Sequence, residues 1–279
     1  MNIELEKEKS KNYTLTMDKT NKKLVELTLD NVARVEAMIY TDSSYSRSGD
    51  ENAEPKGKSF KGSSAYWFNI FQNELDELNN DSELNCIDNN SKLNCIDNDI
   101  ILSLVSAIDS ENSTHLNAHK QGYKGIEGRI EIAERISEIT KKDFLYYLSN
   151  PIDSNFKLYE IIAKETNAKR KNPSFASKFC HYSCLYLFDE NDERRDNYSI
   201  YDGILREVIP YYADRYGVIL SKEYKDAIKN NDINVYPLYW NIVGNIIEEA
   251  AKTTGNKISR NGFDHILWYY HKGRMYKLK

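Results

Sequence analysis

Four cysteines in 279 residues are too few for a disulfide scaffold, and such scant use fits a reducing compartment, so a cytoplasmic location is expected. Cys180 and Cys184 stand four apart on one helical face, while Cys86 and Cys95 lie in a repeated phrase. Neither spacing matches a zinc signature, so the thiols read as buried or incidental and no metal is expected. Also lacking is any apolar run long enough to cross a bilayer, and the opening MNIELEKEKSKNY is too charged for a signal peptide. A soluble chain with no membrane contact is the expectation. Positive charge is not in excess either: the net charge of -5 argues against a simple non-specific nucleic-acid binder without excluding one, because local patches decide. Gly122, Gly125 and Gly128 do not follow a strand, which argues against a nucleotide loop. With no P-loop, no nucleophile elbow and no cluster of metal ligands, no cofactor is expected.

What is present is mainly helical periodicity. Residues 1–62 read as a small mixed N-terminal extension, with short strands at Tyr13–Met17 and Leu24–Leu29 and a helix near Val32–Ile39. Thr41–Ser64, rich in Ser, Gly and Lys, reads as loop. Residues 63–279 read as one helical domain. Its first helix, about Ala65–Leu78, sets Trp67, Phe68, Phe71 and Leu75 on one face. A loop insertion at about 79–99 holds the duplicated phrase Leu84–Asn89 and Leu93–Asn98, two copies being too few for a solenoid. Further helices are expected at Ile100–Ile108, Arg129–Ile139, Lys142–Leu148, Phe156–Thr166, Lys222–Lys229, Leu238–Thr253 and Asp264–His271.

The most informative segment is Asn172–Pro210, NPSFASKFCHYSCLYLFDENDERRDNYSIYDGILREVIP. Phe175, Phe179, Tyr182, Leu185 and Tyr186 recur at helical spacing, with Lys178 in the first turn or so. Asp189–Asn197 is a polar return loop. Asp202 then opens a second helix through Ile204, Leu205, Val208 and Ile209. A helix of about fourteen residues rises roughly 20 Å, and a loop of about ten residues can span roughly 30 Å. The two helix starts can therefore meet, setting an amine beside a carboxylate. Such a pair suits chemistry through a cationic sugar and a Schiff base.

This segment resembles the helix-hairpin-helix superfamily of DNA glycosylases, in particular the 8-oxoguanine glycosylase (OGG)-like branch. The words that carry the resemblance are Ser174-Phe175-Ala176-Ser177-Lys178 with His181-Tyr182, and Ser199-Ile200-Tyr201-Asp202-Gly203-Ile204-Leu205. They cover about forty residues, with a looser likeness reaching Trp268-Tyr269-Tyr270. The resemblance implies a nucleophilic Lys178 and a catalytic Asp202, DNA as partner, and a mainly α fold of the helix-hairpin-helix glycosylase kind. The family's glycine-rich hairpin before the lysine is replaced by Ala168-Lys169-Arg170-Lys171-Asn172-Pro173, so Lys169, Arg170, Lys171 and Asn172 are expected to grip DNA through side chains. Ser199 stands where the family has a proline, and the lysine-to-aspartate interval is longer than the family's by a few residues in the return loop.

The implied reaction extrudes a modified base from the stack. Asp202 stabilises charge at the sugar, and Lys178 attacks to give an imine, with or without strand nicking as a lyase. Base repair and defence against phage DNA both fit. Taken singly, each residue has a plainer reading: Asp202 as a helix cap, Lys178 as a solvated charge, His181 as a hydrogen-bonded helix residue instead of one that tunes the site. The alternative function is a non-catalytic helical DNA-binding or protein-interaction module. A scaffold with no nucleic-acid role is a third.

Overall fold

The computed structural model describes residues 15–41, 66–75, 96–112, 116, 127–167, 170–230, 232–272 and 277–278. These are mainly helical, and among them no helix is long and apolar enough to cross a membrane. The chain divides into two units, one of Met1–Ser59 with Ser199–Lys279 and one of Phe60–Tyr198. The segment read as an N-terminal extension thus belongs with the C-terminal helices.

In the first unit, α1 (Leu29–Thr41) is followed, after the chain returns, by α7 (Gly203–Arg215), α8 (Lys222–Lys229), α9 (Val235–Thr254) and α10 (Arg260–His271). Helix α10 packs on α1, α7 and α9, and α8 packs on α9. Gly262 permits the close approach of α10 to α1, since a Cβ there would lie 2.9 Å from a Val32 methyl. Helix α9 ends at Gly255, whose φ of 78° is the left-handed cap that glycine adopts without strain. Ser221 and Ser259 cap α8 and α10 through their hydroxyls. The periodicity that ran to Ile209 continues past Pro210 to Arg215. Pro210 is exposed, and the next turn is anchored by Tyr212, whose hydroxyl accepts from the Val25 amide at 3.0 Å.

The strands expected at Tyr13–Met17 and Leu24–Leu29 do not form among the described residues; a single isolated bridge joins Met17 to Val25. Two backbone bonds flank it, from the Asp18 amide to the Leu24 carbonyl (2.9 Å) and from the Glu26 amide to the Thr16 carbonyl (3.0 Å), and a side chain adds to this short pairing. Asn31, fully buried, accepts from the Thr16 amide (2.9 Å) and donates to the carbonyls of Thr16 (2.9 Å) and Glu26 (2.7 Å). Asp18 closes the turn by accepting from the amides of Thr20 and Asn21, and pairs with Arg215 at 2.7 Å.

The second unit holds the helical segment 66–75, α2 (Asn98–Asn112), α3 (Glu127–Ser137), α4 (Lys141–Ser149), α5 (Lys157–Ala163) and α6 (Pro173–Leu187), with a short 3-10 turn at Glu193–Asp196. Helix α6 packs on α2, α4, α5 and the 3-10 turn. Phe68 stacks on Tyr186 and Phe71 meets Phe144 edge-on, which fastens segment 66–75 to α6 and α4. The tail of the duplicated phrase serves the helix it precedes. Ile96 is buried, and Asp97 caps α2 by accepting from the amides of Asp99 and Ile100. The rest of that phrase, with Cys86 and Cys95, and Gly122 and Gly125 lie outside the described residues.

Candidate functional site

Lys178 and Asp202 belong to different units, the lysine to the second and the aspartate to the first. Pro173 opens α6 at the position where its missing N–H costs nothing. That start places Lys178 in the second turn instead of the first. The lysine is 8 % exposed. The reading of Lys178 as a solvated surface charge is therefore wrong, because a lysine is almost never held out of water without cause. Its neighbours Phe175, Ala176, Ser177, Phe179, Cys180 and His181 are buried with it. One signal in the sequence announces this. Lys178 is the one charged residue among the fifteen of α6, and a helix with so little charge is buried all round.

His181 is buried as well, and its Nδ1 lies 3.0 Å from the carbonyl of Tyr198. A carbonyl only accepts, so Nδ1 carries the hydrogen. Tyr198 is itself fixed: its hydroxyl donates to the Tyr147 carbonyl at 3.0 Å, and its ring meets Phe156 edge-on. Phe156 and Asn155 both adopt the left-handed backbone conformation, at φ of 55° and 50°. That is a strained choice for an aromatic residue and is held here by burial. Cys180 and Cys184 are buried free thiols, and burial pushes both thiols well up from the usual range, so they are inert. No group of side chains suited to a metal occurs among the described residues.

Asp202 is the N-cap of α7 and also 8 % exposed. Its Oδ1 accepts from the Leu205 amide at 3.0 Å, at the end of the helix where an anion is favoured. Its plainer role is therefore real, and its burial exceeds what a surface cap needs. The backbone leading to it is held by residues that sequence reading did not single out. Tyr236 and Tyr239, one turn apart on α9, and Arg260 and Asp264, one turn apart on α10, all reach Ser199 or Ile200. Tyr236 and Arg260 precede the helix starts expected at Leu238 and Asp264, so neither pair was legible as a pair in the sequence.

Of the cations expected to hold DNA, Lys169 lies outside the described residues. Arg170 and Lys171 are half-buried. Asn172 is buried, its amide donating to the Ala163 carbonyl at 3.1 Å and its side chain to the Arg170 carbonyl at 3.2 Å. Asn172 thus closes the α5–α6 turn. At the end of α10, Lys272 is exposed with its amine 4.0 Å above the Trp268 ring, while His271 is buried against Tyr212. Compared with protein-family models, with curated proteins and with solved structures, the chain finds no match.

Proposed function

We propose that this chain is a DNA glycosylase of the OGG-like kind, excising a modified base with Lys178 as nucleophile and Asp202 as the charge-stabilising carboxylate. The observation that carries the reading is the burial of Lys178. A lysine must shed its proton to attack, and removal from water is the means by which a protein lowers that cost. In the reaction the Lys178 amine attacks C1′ of the deoxyribose and the glycosidic bond breaks. The base leaves with the bonding pair and takes up a proton. Opening of the sugar ring then gives an imine between C1′ and Nζ. Loss of a C2′ proton with cleavage of the C3′–O bond would nick the strand; hydrolysis would restore the lysine without a nick. Repair and defence against modified phage DNA use the same steps and differ only in the base.

Borohydride reduces such an imine to a stable amine, so trapping is the direct test. Duplexes carrying an abasic site, 8-oxoguanine or hypermodified pyrimidines are incubated with the wild type, Lys178→Ala and Lys178→Arg. A covalent adduct with the wild type and none with either variant is the expected result. Absence of both adduct and base release from every duplex would sink the reading. Salt-dependent DNA binding without base release would move the chain to the non-catalytic alternative.

A further inference from the structure

We infer that Tyr236, Tyr239, Arg260 and Asp264 form a positioning cradle that fixes the backbone of Ser199 and Ile200 and so sets the direction of the Asp202 carboxylate. Its catalytic meaning rests on the glycosylase reading above; its geometry does not. Ser199–Asp202 is irregular backbone that is largely buried, and irregular backbone has no ladder to satisfy its N–H and C=O groups. The Tyr236 hydroxyl does both jobs for Ser199, accepting from its amide at 3.1 Å and donating to its carbonyl at 2.7 Å. Asp264 Oδ2 accepts from the Ile200 amide at 2.7 Å, and the Tyr239 hydroxyl donates to the Ile200 carbonyl at 2.7 Å. The peptide plane between Ser199 and Ile200 is therefore gripped at both edges, by Tyr236 on its carbonyl and Asp264 on its N–H. It has no freedom to flip.

The grip continues toward Asp202. The Tyr201 ring meets Tyr239 edge-on at 4.9 Å, and the Arg206 guanidinium stands 5.5 Å from the same ring. Arg260 Nη1 donates to Ser199 Oγ at 3.2 Å and to the Trp240 carbonyl at 2.8 Å, with its guanidinium 3.8 Å above the Trp240 ring. Arg260 thus ties α10 to α9 as well as to the segment. Room for it comes from Gly244, where a Cβ would fall 2.7 Å from Arg260 Nη2. Satisfying four backbone groups would need only solvent exposure of the segment. Four large side chains converging from two helices instead spend side-chain freedom to define one conformation. Such support is what a carboxylate needs if a misplacement of about 1 Å is to be avoided at a reacting sugar.

The cradle is tested first without any substrate, by residue-resolved amide exchange in the full chain. Tyr239→Phe removes one oxygen and leaves the ring packed. It is expected to speed exchange of the Ile200 and Leu205 amides roughly fivefold to tenfold, the worth of one hydrogen bond, while amides in the middle of α9 keep wild-type rates. Leu205 reports the carboxylate itself, because Asp202 caps it. Unchanged Leu205 exchange in Tyr239→Phe would overturn the inference. The second arm is turnover on the abasic-site duplex. Asp264→Leu is expected to slow adduct formation about tenfold with DNA affinity unchanged, and Asp264→Asn, which keeps an acceptor for the Ile200 amide, to recover most of the rate. In an Asp202→Asn background Tyr239→Phe is expected to cost nothing further; an additive loss would overturn positioning through Asp202. Should the wild type form no adduct and release no base, the glycosylase reading falls and the exchange arm still decides the cradle.

Discussion

At the scale of single residues, the sequence was most legible where a residue type and its local role coincide. An aspartate ahead of a helical run is an N-cap, and Asp202 is one. Lys178 shows the opposite case, because the word Ser-Lys-Phe says little about exposure and only the scarcity of charge along the whole of α6 announces its burial. His181 lies between these. Its helical position was readable, but its acceptor, the Tyr198 carbonyl seventeen residues on, was not. That bond makes a prediction with a definite sign. His181→Leu keeps the volume but removes the donor to a buried carbonyl, and is expected to cost about 1–3 kcal/mol in urea unfolding. His181→Asn, whose side-chain amide can reach the same carbonyl, is expected to recover most of that. Equal stability of the Leu variant and the wild type would show that the bond contributes nothing net.

At the scale of elements, helices were legible because each carries its own period, and the helix at Lys222–Lys229 falls within the bounds its sequence pattern gives. One element was misjudged, and another runs past the residues that its pattern named. Helix α7 outruns Pro210 because buried Tyr212 and Ala213 in the following turn supply more than the proline removes. The expected N-terminal strands do not form because the two segments pair only through the Met17–Val25 bridge and the two backbone bonds that flank it, too short a ladder for strands. Asn31 on α1 adds to that pairing, reaching backward to Thr16 and Glu26. Helix α1 therefore organises the segment that precedes it. Asn31→Leu would take the acceptor from the Thr16 amide and one of two donors from each of the Thr16 and Glu26 carbonyls, and is expected to destabilise the chain by about 1–2 kcal/mol. Limited proteolysis would show the consequence as new cleavage between residues 15 and 28. If cleavage and stability both stay at wild-type levels, the segment is held by its apolar contacts through Leu24, Val25 and Leu27 and the Asn31 bonds are incidental.

At the scale of the whole molecule, the chain is polar on average, with a mean hydropathy of -0.69, yet it is rich in tyrosine, with 21 residues. The structure makes that combination intelligible. Among the described residues, six of the largest fully buried side chains are tyrosines, Tyr159, Tyr198, Tyr212, Tyr224, Tyr236 and Tyr239. A phenol fills a core as phenylalanine does but brings a hydroxyl, and those of Tyr212, Tyr236 and Tyr239 bond the backbone of irregular segments. Such a core has a weakness at high pH. Burial pushes the phenols of Tyr201, Tyr212, Tyr224 and Tyr239 above their ordinary value, and holds Tyr216 at about 12. In the unfolded chain the same groups ionise near pH 10. Between that value and the raised folded value the folded chain holds more protons than the unfolded one, so stability falls as pH rises. Each such tyrosine contributes in full below about pH 10 and is lost with a slope of up to about 1.4 kcal/mol per pH unit. Denaturant unfolding between pH 8 and 11.5 is expected to show a steepening loss, with Tyr216→Phe reducing the slope between about pH 10 and 12. A flat profile across that range, or a slope indifferent to Tyr216→Phe, would mean that these phenols ionise as freely in the folded chain as in water.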